Sequence, residues 1–420
     1  MRRSSPPAAL WVPAVFACLA LAGAAHAAPA KPSPPALALG ESRPVESPLG
    51  NPALPTAQSV WVEMIRGARR TLDLEEFYFT HREGEALQPV LDEIGRAAAR
   101  GVQVRLLLDA AMSHTYPQPS DSMAHLANVA VRTVDYRRLA GGVQHSKYFV
   151  VDGADAWIGS QNLDWRSLEQ IHELGIRVRE PRLAQVIGAV FATDWAASDT
   201  TQPFTPGPAQ TVQWPIHVTQ APGHTVPVWL GASPRSTTPG GIPWDRDLIV
   251  ERLAAAKHDV VIQTMQYGVR SHGAADSTLH LALIAAAARG VHVRLVVADW
   301  AIGGANEPAM HDLAARGVEV KISRVPEWSK GYVSFSRVEH CKYMVVDGEW
   351  LWIGTSNWEP SYFLTTRNLG LTIHDPALAA QAAAVFRASW EAPTAVVYGP
   401  DTKLPPRVHG ETPPEGEKVY

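Results

Sequence analysis

The sequence contains little cysteine and has no excess of positive charge. Only two of its 420 residues are cysteine, Cys18 and Cys341, so a network of disulfide bonds is excluded. Lys and Arg number 37 against 41 Asp and Glu, which gives a formal net charge of −4. A protein that grips long nucleic acid through many phosphates needs a basic surface, and this composition argues against one. The composition does not argue against the binding of a single terminal phosphate.

Long apolar runs are confined to the N-terminus. Two arginines precede an apolar stretch from about Ala8 to Ala25, and Ala25-His26-Ala27 has the pattern of a cleavage site. The run is interrupted by Pro13 and is shorter than the ~20 apolar residues of a membrane-spanning helix. We therefore predict that residues 1–27 are a signal peptide. The chain is then exported, either to the periplasm or to the medium, with Cys341 as its only thiol.

One short pattern occurs twice in the remaining sequence. Residues 145–152 and 340–347 both read H-x-K-x4-D, and they lie 195 positions apart. Each is followed at the same distance by a turn of small residues, Gly159-Ser160-Gln161-Asn162 or Gly354-Thr355-Ser356-Asn357. Because the 195-residue offset persists for about 50 residues, an internal duplication is indicated, and its unit is far longer than a solenoid repeat.

The duplication predicts two similar domains with an α/β sandwich architecture. Apolar, β-branched runs such as Val102–Asp109 and Val291–Asp299 are typical of buried strands, and Ala-rich segments such as Leu87–Arg100 precede them as helices. Alternation of strands and helices indicates the α/β class. The predicted boundaries are a disordered linker at 28–51, a first domain at 52–198, a linker at 199–225, a second domain at 226–395 and a disordered tail at 396–420.

The repeated pattern places its polar side chains on one face of an extended strand. Alternate side chains of a strand point the same way, so His145 and Lys147 share a face, and the matching pair in the second copy surrounds Cys341. Cys341 is therefore expected to be a packing residue. Asp152 and Asp347 end their strands, where a carboxylate could orient an imidazole.

Two histidines, two lysines and two asparagines suit the cleavage of a phosphodiester. Two imidazoles can act as one nucleophile and one general acid. Ammonium and amide groups can bind an anion whose charge grows in the transition state. Since the site would contain its own cations, no metal ion or other cofactor is predicted, and no Cys/His set with zinc-like spacing is present.

At these residues the chain resembles the phospholipase D superfamily, whose signature is a duplicated H-x-K-x4-D-x6-G-S-x-N. The first copy matches throughout, and Thr355 replaces the serine in the second. Within the superfamily the turns look most like the branch of phospholipase D-like exonucleases and poxvirus envelope phospholipase-like proteins. The resemblance implies a covalent phosphohistidine intermediate, turnover without metal, and a pseudo-twofold pairing of two α/β domains around one active site.

The resemblance also implies a role for each matching residue. His145 and His340 would supply nucleophile and general acid or base, with His145 favoured as the nucleophile. Lys147, Lys342, Asn162 and Asn357 would hold the phosphate, with Ser160 and Thr355 supporting the pocket. Asp152 and Asp347 would brace either their own or the opposite half of the site.

Other candidate residues are less specific. Glu75 and Glu76 are adjacent on a strand and point opposite ways, which favours a structural role. Glu173 is part of the branch resemblance, but its counterpart is Asn368, so any contribution to the site is one-sided. Trp165 and Trp358 have no partner at the 195-residue offset and could line the substrate entrance. There each ring could either stack on a base or pack against an acyl chain.

Three functions follow from these observations. The first is a phosphodiesterase that hydrolyses phospholipid head groups or transfers the phosphatidyl group, with peripheral membrane contact. The second is a metal-independent nuclease acting on ends of single-stranded DNA or RNA. The third, a catalytically silent scaffold, is disfavoured because every motif residue is intact. Neither an amphipathic basic helix nor a basic stripe separates the first two.

Overall fold

Two sheets of matching strand order form the framework of the structure, a computed structural model. It describes residues 1–2, 34–221, 223–399, 401–415 and 419–420. Residues 35–420 belong to one unit, within which we call residues 35–199 the first half and 216–398 the second half. The predicted signal peptide, apart from residues 1 and 2, lies outside the described residues. Among the described helices, none has the length and apolar character required to cross a membrane.

The first half alternates strands and helices along the chain. Its elements are β1 (Leu37–Ser42), α1 (Ala57–Gly67), β2 (Thr71–Glu76), β3 (Phe79–Thr80), α2 (Gln88–Ala99), β4 (Gln103–Asp109), α3 (Ala110–Thr115), α4 (Pro117–Ala124), β5 (Val129–Val134), α5 (Tyr136–Ala140), β6 (Tyr148–Val151), β7 (Asp155–Gly159), β8 (Leu163–Asp164), α6 (Trp165–Glu169), β9 (Glu173–Val178) and α7 (Pro181–Ala197).

The second half repeats this order and adds strands at both edges of its sheet. Its elements are β10 (Ile216–Ala221), β11 (His224–Ser233), a 3₁₀ turn (Arg235–Thr237), α8 (Asp245–Ala255), β12 (Asp259–Thr264), β13 (Arg270–Ser271), β14 (Ala274–Ala275), α9 (Thr278–Ala288), β15 (His292–Ala298), a 3₁₀ turn (Asp299–Ala301), α10 (Glu307–Ala315), β16 (Glu319–Ser323), β17 (Tyr343–Val346), β18 (Trp350–Gly354), α11 (Pro360–Leu364), β19 (Asn368–His374), α12 (Pro376–Glu391) and β20 (Val396–Tyr398).

Strand order is the clearest sign of the duplication. Within the described residues the first sheet has the order β1-β9-β7-β6-β2-β4-β5, and the second contains the equivalent order β11-β19-β18-β17-β12-β15-β16. In both sheets the last three strands of this order are parallel and the others antiparallel. The duplicated α/β fold is therefore confirmed.

The sequence explains why the helices end where they do. Helix α2 stops at Ala99 and α9 at Ala288, and in each case an Arg is followed by a glycine. Gly101 and Gly290 adopt positive φ of 92° and 87°, a conformation that only glycine reaches without strain. The chain then turns directly into the parallel strands β4 and β15.

One apolar core joins the two halves. Its buried residues come from the inner faces of both sheets and from α7 and α12. Helices α1 and α2 cover the outer face of the first sheet, while α8, α9 and α10 cover that of the second. A layered arrangement of this kind buries both faces of each sheet, which accounts for the uninterrupted apolar runs in the strands.

The segment predicted to be disordered at 28–51 is ordered over its described part. Residues 37–42 form the edge strand β1, which pairs antiparallel with β9. Leu37 and Leu39 are buried in the shared core, and Glu41 is buried beside them. The prediction was wrong here because it weighed the Ala/Pro composition over the alternation of apolar residues in this strand.

The linker and the tail also contain structure that composition did not predict. Within the predicted linker 199–225, residues 216–221 already form β10 of the second sheet. In the tail, residues 396–398 form β20 on the sheet edge, and Arg407 binds the buried Asp299 with a nitrogen–oxygen distance of 3.1 Å. The expectation of a disordered tail was therefore wrong for its described residues.

Candidate active site

The two repeated motifs meet at one cavity between the halves. The cavity has a volume of about 390 Å³ and receives side chains from both halves. Its lining consists mainly of aromatic and aliphatic groups with a few polar ones: Phe77, Tyr78, Met112, Tyr116, His145, Asn162, Arg166, Ile171, Met265, Gln266, Trp300, Phe335, Val338, His340, Asn357 and Tyr362. Both motif histidines and both turn asparagines are thus brought together.

His145 is held in one tautomer by an amide from the opposite half. Its Nδ1 lies 3.0 Å from Oδ1 of Asn368, and Asn368 donates its Nδ2 hydrogen to the carbonyl of Tyr362 at 2.9 Å. Thr355 also donates to the same Oδ1 at 2.8 Å. An oxygen that accepts from Thr355 and from the ring requires a proton on Nδ1 of His145. The other ring nitrogen, Nε2, then keeps its lone pair.

His340 is held by a carboxyl group instead. Its Nδ1 lies 2.7 Å from Oε2 of Glu173, which comes from the first half. Burial raises the pKa of Glu173 to about 8. Burial and the nearby Lys342 and Lys147 hold the pKa of His340 well below its usual range. At neutral pH the pair therefore retains a proton on Glu173, which the hydrogen bond can pass to the ring.

The backbone reinforces this exchange between the halves. The amide of His145 donates to the carbonyl of Arg367 at 3.0 Å, and the amide of His340 donates to that of His172 at 2.9 Å. Arg367 and His172 immediately precede the orienting residues Asn368 and Glu173. Each histidine is thus fixed by main chain and side chain of the other half.

The two lysines are buried beside the histidines of their own motifs. Nζ of Lys342 donates to the carbonyl of His340 at 2.8 Å, and Lys147 makes the equivalent contact with His145. Burial lowers the pKa of Lys342 to about 8, while burial and the charge of Lys342 lower the pKa of Lys147 well below its usual range. Binding of an anion would stabilise both ammonium groups.

The two asparagines line the cavity, and the amide oxygen of each is unpaired among the described residues. Asn162 donates to the hydroxyl of Tyr78 at 3.3 Å, and Asn357 donates to Gln266 at 3.4 Å. Oδ1 of each is buried and has no hydrogen-bond partner among the described residues. Rotation of either amide by half a turn would present its NH₂ donors where Oδ1 now lies.

Ser160 and Thr355 lie behind the cavity wall. Ser160 exchanges hydrogen bonds with the backbone of Leu174, at 3.0 and 3.2 Å, and so fixes the strand that carries Glu173. Thr355 accepts a hydrogen bond from the amide of Leu369 at 3.1 Å and donates one to Oδ1 of Asn368 at 2.8 Å. Both hydroxyls thus contact the strands that carry the orienting residues Glu173 and Asn368.

The two aspartates do not reach the imidazoles. Asp152 accepts hydrogen bonds from the amides of Arg69, Arg70 and Thr71 at 2.7 to 2.9 Å. Asp347 binds residues 257–259 in the same way. Five residues of extended chain separate each Asp from its Lys, a distance of roughly 16 Å. The hypothesis that they orient the imidazoles was wrong; they fix the turns before β2 and β12.

The positions of Glu75, Trp165 and Trp358 relative to the cavity can be compared with their predicted roles. Glu75 is buried against the hydroxyl of Tyr148 at 2.5 Å, away from the cavity lining, as its predicted structural role requires. Trp358 packs edge-on against Trp352 in the second-half core, so it does not line the entrance as suggested. Trp165 is also absent from the lining, where Trp300 is found instead.

The sequence reasoning missed Asn368 as a contributor and gave Glu173 little weight. The signal was present, because the two positions keep the 195-residue offset and each lies 11 residues after the asparagine of its turn. Tyr78 and Arg166 were also missed. Tyr78 and Arg166 both bind Asp164, at 2.9 Å and 3.0 Å, which joins two cavity residues through one buried carboxylate.

Comparison with known proteins identifies similar chains. The family model described as "Cardiolipin synthase, PLD-like domain" matches residues 61–195 and 249–390. The chain is 31% identical over 381 residues to "5'-3' exonuclease PLD4" of Mus musculus, covering 80% of this chain and 73% of that protein. It is 29% identical over 369 residues to "Phospholipase D Z" of Dictyostelium discoideum, covering 80% and 85%.

A solved structure shares the fold. The phosphatidylserine synthase of Haemophilus influenzae Rd KW20 superposes with a TM-score of 0.60 at 15% identity, covering 86% of this chain and 87% of that one. At this identity the likeness concerns architecture alone. It extends over both halves and so agrees with the duplicated arrangement described above.

Proposed function

Because the chain belongs to the phospholipase D-like family of phosphodiesterases, we propose that His145 and His340 divide phosphodiester cleavage between them. His145 is the nucleophile and His340 the general acid. The observation that carries this assignment is the unequal pairing of the two rings. An amide oxygen fixes the tautomer of His145 without supplying a proton, whereas the carboxyl group of Glu173 can supply one to His340.

The substrate phosphate binds between the two buried lysines. Lys147 and Lys342, which are buried beside the two histidines, provide positive charge, and Asn162 and Asn357, which line the cavity, add amide donors from the two turns. Charge that develops on the phosphoryl oxygens is stabilised more strongly by buried donors than by water. These groups supply the positive charge that a metal ion provides in other phosphodiesterases.

Cleavage then takes two steps of displacement at phosphorus. Nε2 of His145 forms a bond to phosphorus while the bond from phosphorus to the leaving oxygen breaks. The leaving oxygen takes a proton from Nε2 of His340, whose Nδ1 receives the proton of Glu173. In the second step His340 removes a proton from water, the water oxygen bonds to phosphorus, and the bond from phosphorus to His145 breaks.

The proposed substrate is an end of single-stranded nucleic acid. Six aromatic rings line the cavity beside the histidines: Phe77, Tyr78, Tyr116, Trp300, Phe335 and Tyr362. Aromatic faces stack on nucleobases irrespective of sequence, and a small cavity needs little of the basic surface that long duplexes require. Relatives named as 5'-3' exonucleases support this choice.

Phospholipid is the second candidate substrate. Four aliphatic side chains, Met112, Ile171, Met265 and Val338, lie among the aromatic rings of the cavity. They would also accept part of an acyl chain or an apolar head group. The relative named Phospholipase D Z supports this alternative. In both cases we propose that residues 1–27 direct export of the protein.

One experiment tests mechanism and substrate together. The mature chain is incubated in EDTA with 5′-hydroxyl single-stranded oligonucleotides, with phosphatidylcholine or phosphatidylglycerol vesicles, and with bis(4-nitrophenyl) phosphate. His145→Ala and His340→Ala are compared with His258→Ala, which removes an exposed histidine. We expect the parent and His258→Ala to hydrolyse the oligonucleotide in EDTA, and the first two variants to lose this activity. Hydrolysis of the phospholipid vesicles but not of the oligonucleotide would favour the lipid substrate. Activity that depends on a metal would contradict the mechanism.

A further inference from the structure

The C-terminal residues pack against the same wall that lines the active-site cavity. We call residues 401–415 and 419–420 the C-terminal strap. His409 stacks on Trp300 with ring centroids 4.1 Å apart, and its carbonyl accepts a hydrogen bond from the amide of Phe335 at 2.7 Å. Trp300 and Phe335 both line the cavity. The strap therefore supports two cavity residues from behind.

The strap is anchored to the second half by polar contacts of its own. Arg407 binds Asp299, which is 2% exposed, at 3.1 Å and the carbonyl of Val325 at 2.8 Å. The hydroxyl of Tyr332 donates to the carbonyl of Gly410 at 2.7 Å. Because Asp299 immediately precedes Trp300, the anchor and the stacked ring hold the same short segment of wall.

The far end of the strap reaches the first half. The hydroxyl of Tyr420 donates to Glu85 at 2.7 Å, and its ring lies 4.4 Å from the guanidinium of Arg82. The same ring contacts Trp328 of the second half at a centroid distance of 4.3 Å. Cation–π and aromatic contacts of this kind are favourable. Tyr420 thus contacts residues of both halves.

The wall segment itself is constrained. Phe335 has a φ of 52°, in the left-handed region that a phenylalanine rarely adopts. The carbonyl of the preceding Ser334 accepts a hydrogen bond from Arg166 of the first half at 3.0 Å. A strained conformation persists when its surroundings determine it, and here the strap provides one of the two contacts.

We propose that the C-terminal strap closes one side of the cavity and restricts cleavage to substrates that enter by a free end. This inference rests on the proposed action on single-stranded nucleic acid. A strand cut internally must enter the site on one side and leave on another, whereas a terminal nucleotide needs one opening. Trp300 and Phe335 line one side of the cavity with the strap packed behind them, and we take this as the side on which a continuing strand would leave.

The test compares linear with circular single-stranded oligonucleotides of the same sequence. His409→Ala removes the stacked ring and Tyr420→Ala removes the contact with the first half, while Glu411→Ala is the matched change at an exposed strap position. A chain ending at Pro405 removes most of the strap, with circular dichroism as a check of folding. Bis(4-nitrophenyl) phosphate reports the basal chemistry in every variant.

The parent and Glu411→Ala are expected to cleave only the linear substrate. His409→Ala, Tyr420→Ala and the shortened chain should cleave the circle about tenfold faster or more, as loss of one aromatic contact allows. Their kcat/KM on the small diester should stay within about twofold of the parent. If the shortened chain does not fold, the two point variants decide.

Two kinds of failure are distinguishable. Cleavage of linear DNA by every variant without any gain on circles overturns the role of the strap and leaves the nuclease function intact. Rapid cleavage of circles by the parent also overturns the role of the strap, and it shows in addition that the nuclease does not require a free end. If the parent hydrolyses the small diester but neither oligonucleotide, the proposed substrate class is wrong, and the role of the strap with it.

Discussion

The two halves hold their histidines with the same backbone geometry and with different chemistry. In each half a histidine amide binds the carbonyl that precedes the orienting residue of the other half. The orienting residue is Glu173 for His340 and Asn368 for His145, at equivalent positions of the repeat. The comparison teaches that one exchange between a carboxyl group and an amide gives two identical residues different surroundings, and on this difference the proposed division of roles rests.

The same contrast appears one layer further from the cavity. Arg367 binds Asp194 through two nitrogens, at 2.7 and 3.0 Å, in a fully buried pair. At the position equivalent to Arg367, the ring of His172 lies between Glu339 at 2.7 Å and Glu41 at 2.9 Å. Arg367 keeps its charge at any working pH, whereas His172 can lose it.

The largest expected effect is the loss of kcat on replacing the motif histidines, and it should differ between the two. His145→Ala should lower kcat by about 10⁴-fold or more on every substrate, because no other group forms the covalent intermediate. His340→Ala should cost about 10²–10⁴-fold on an alkyl ester. In the first step it should cost far less on a nitrophenyl ester, whose leaving group needs no proton. Pre-steady-state release of the leaving group from both esters measures the first step, and equal losses of this rate for the two variants would contradict the division of roles.

Next in size is the effect of the buried ion pairs on stability. Removing either Arg367 or His172 leaves buried carboxylates unpaired, so Arg367→Ala and His172→Ala should each lower the free energy of unfolding by about 3–5 kcal/mol. Denaturant unfolding followed by tryptophan fluorescence measures this. A loss below about 1 kcal/mol for either variant would show that the pair contributes little.

The two pairs should differ in their dependence on pH. Burial opposes the charge of His172, but Cys341 and Glu339 raise its pKa well above its usual range. A raised histidine pKa contributes stability that is complete below the unfolded value of about 6.5 and is lost as pH rises through the folded value. The cost of His172→Ala should therefore shrink at alkaline pH, while that of Arg367→Ala stays constant.

A smaller effect is expected from exchanging the two orienting groups. Glu173→Gln removes the proton source of His340 and should lower kcat on alkyl esters by about 10–100-fold. Asn368→Asp places a carboxylate on His145, raises the pKa of that ring and should reduce activity mainly at acid pH. Rate measurements from pH 5 to 10 separate the two variants. Identical pH profiles would show that the orienting groups do not set the roles.

The parent should lose activity as pH rises through about 8, where Glu173 gives up its proton and Lys342 its charge. Glu173 also raises the pKa of Lys342. In Glu173→Gln the alkaline loss of activity should therefore move to lower pH. A shift to higher pH in this variant would contradict the electrostatic account.

The smallest expected effects concern the two aspartates of the repeated motif. Asp152→Ala and Asp347→Ala should each lower the free energy of unfolding by about 1–2 kcal/mol, because three backbone amides lose their acceptor. The kcat of the folded fraction should stay within about threefold of the parent. Thermal unfolding and active-site titration give the two quantities, and a loss of kcat without loss of stability would place the aspartates back in the chemistry.

Local patterns in the sequence predicted the duplicated fold and the repeated polar residues that lie at or beside the cavity. The 195-residue offset located both histidines, both lysines and both asparagines, because a repeat keeps its site in register. The partners of the imidazoles were harder to predict, since Glu173 and Asn368 act across the interface between halves. No spacing along the chain shows which strand ends will face each other there.

Composition wrongly predicted disorder near both ends of the chain for a related reason. The strand at 37–42 is ordered by its pairing with β9, and the strap by single contacts such as Arg407 with Asp299. Both depend on partners more than 100 positions away in the sequence. Trp300 was overlooked as a cavity residue because its position depends on the 3₁₀ turn after β15 and on the strap behind it.

The most direct test of the division of roles is the intact mass of the protein after a rapid acid-free quench. His145→Ala, His340→Ala and the parent are mixed with bis(4-nitrophenyl) phosphate and analysed by mass spectrometry. In His340→Ala the first step proceeds, but water lacks its base, so the nitrophenyl phosphoryl adduct should accumulate on His145. The adduct should be absent from His145→Ala. An adduct on His340 in His145→Ala, with none in His340→Ala, would contradict the account.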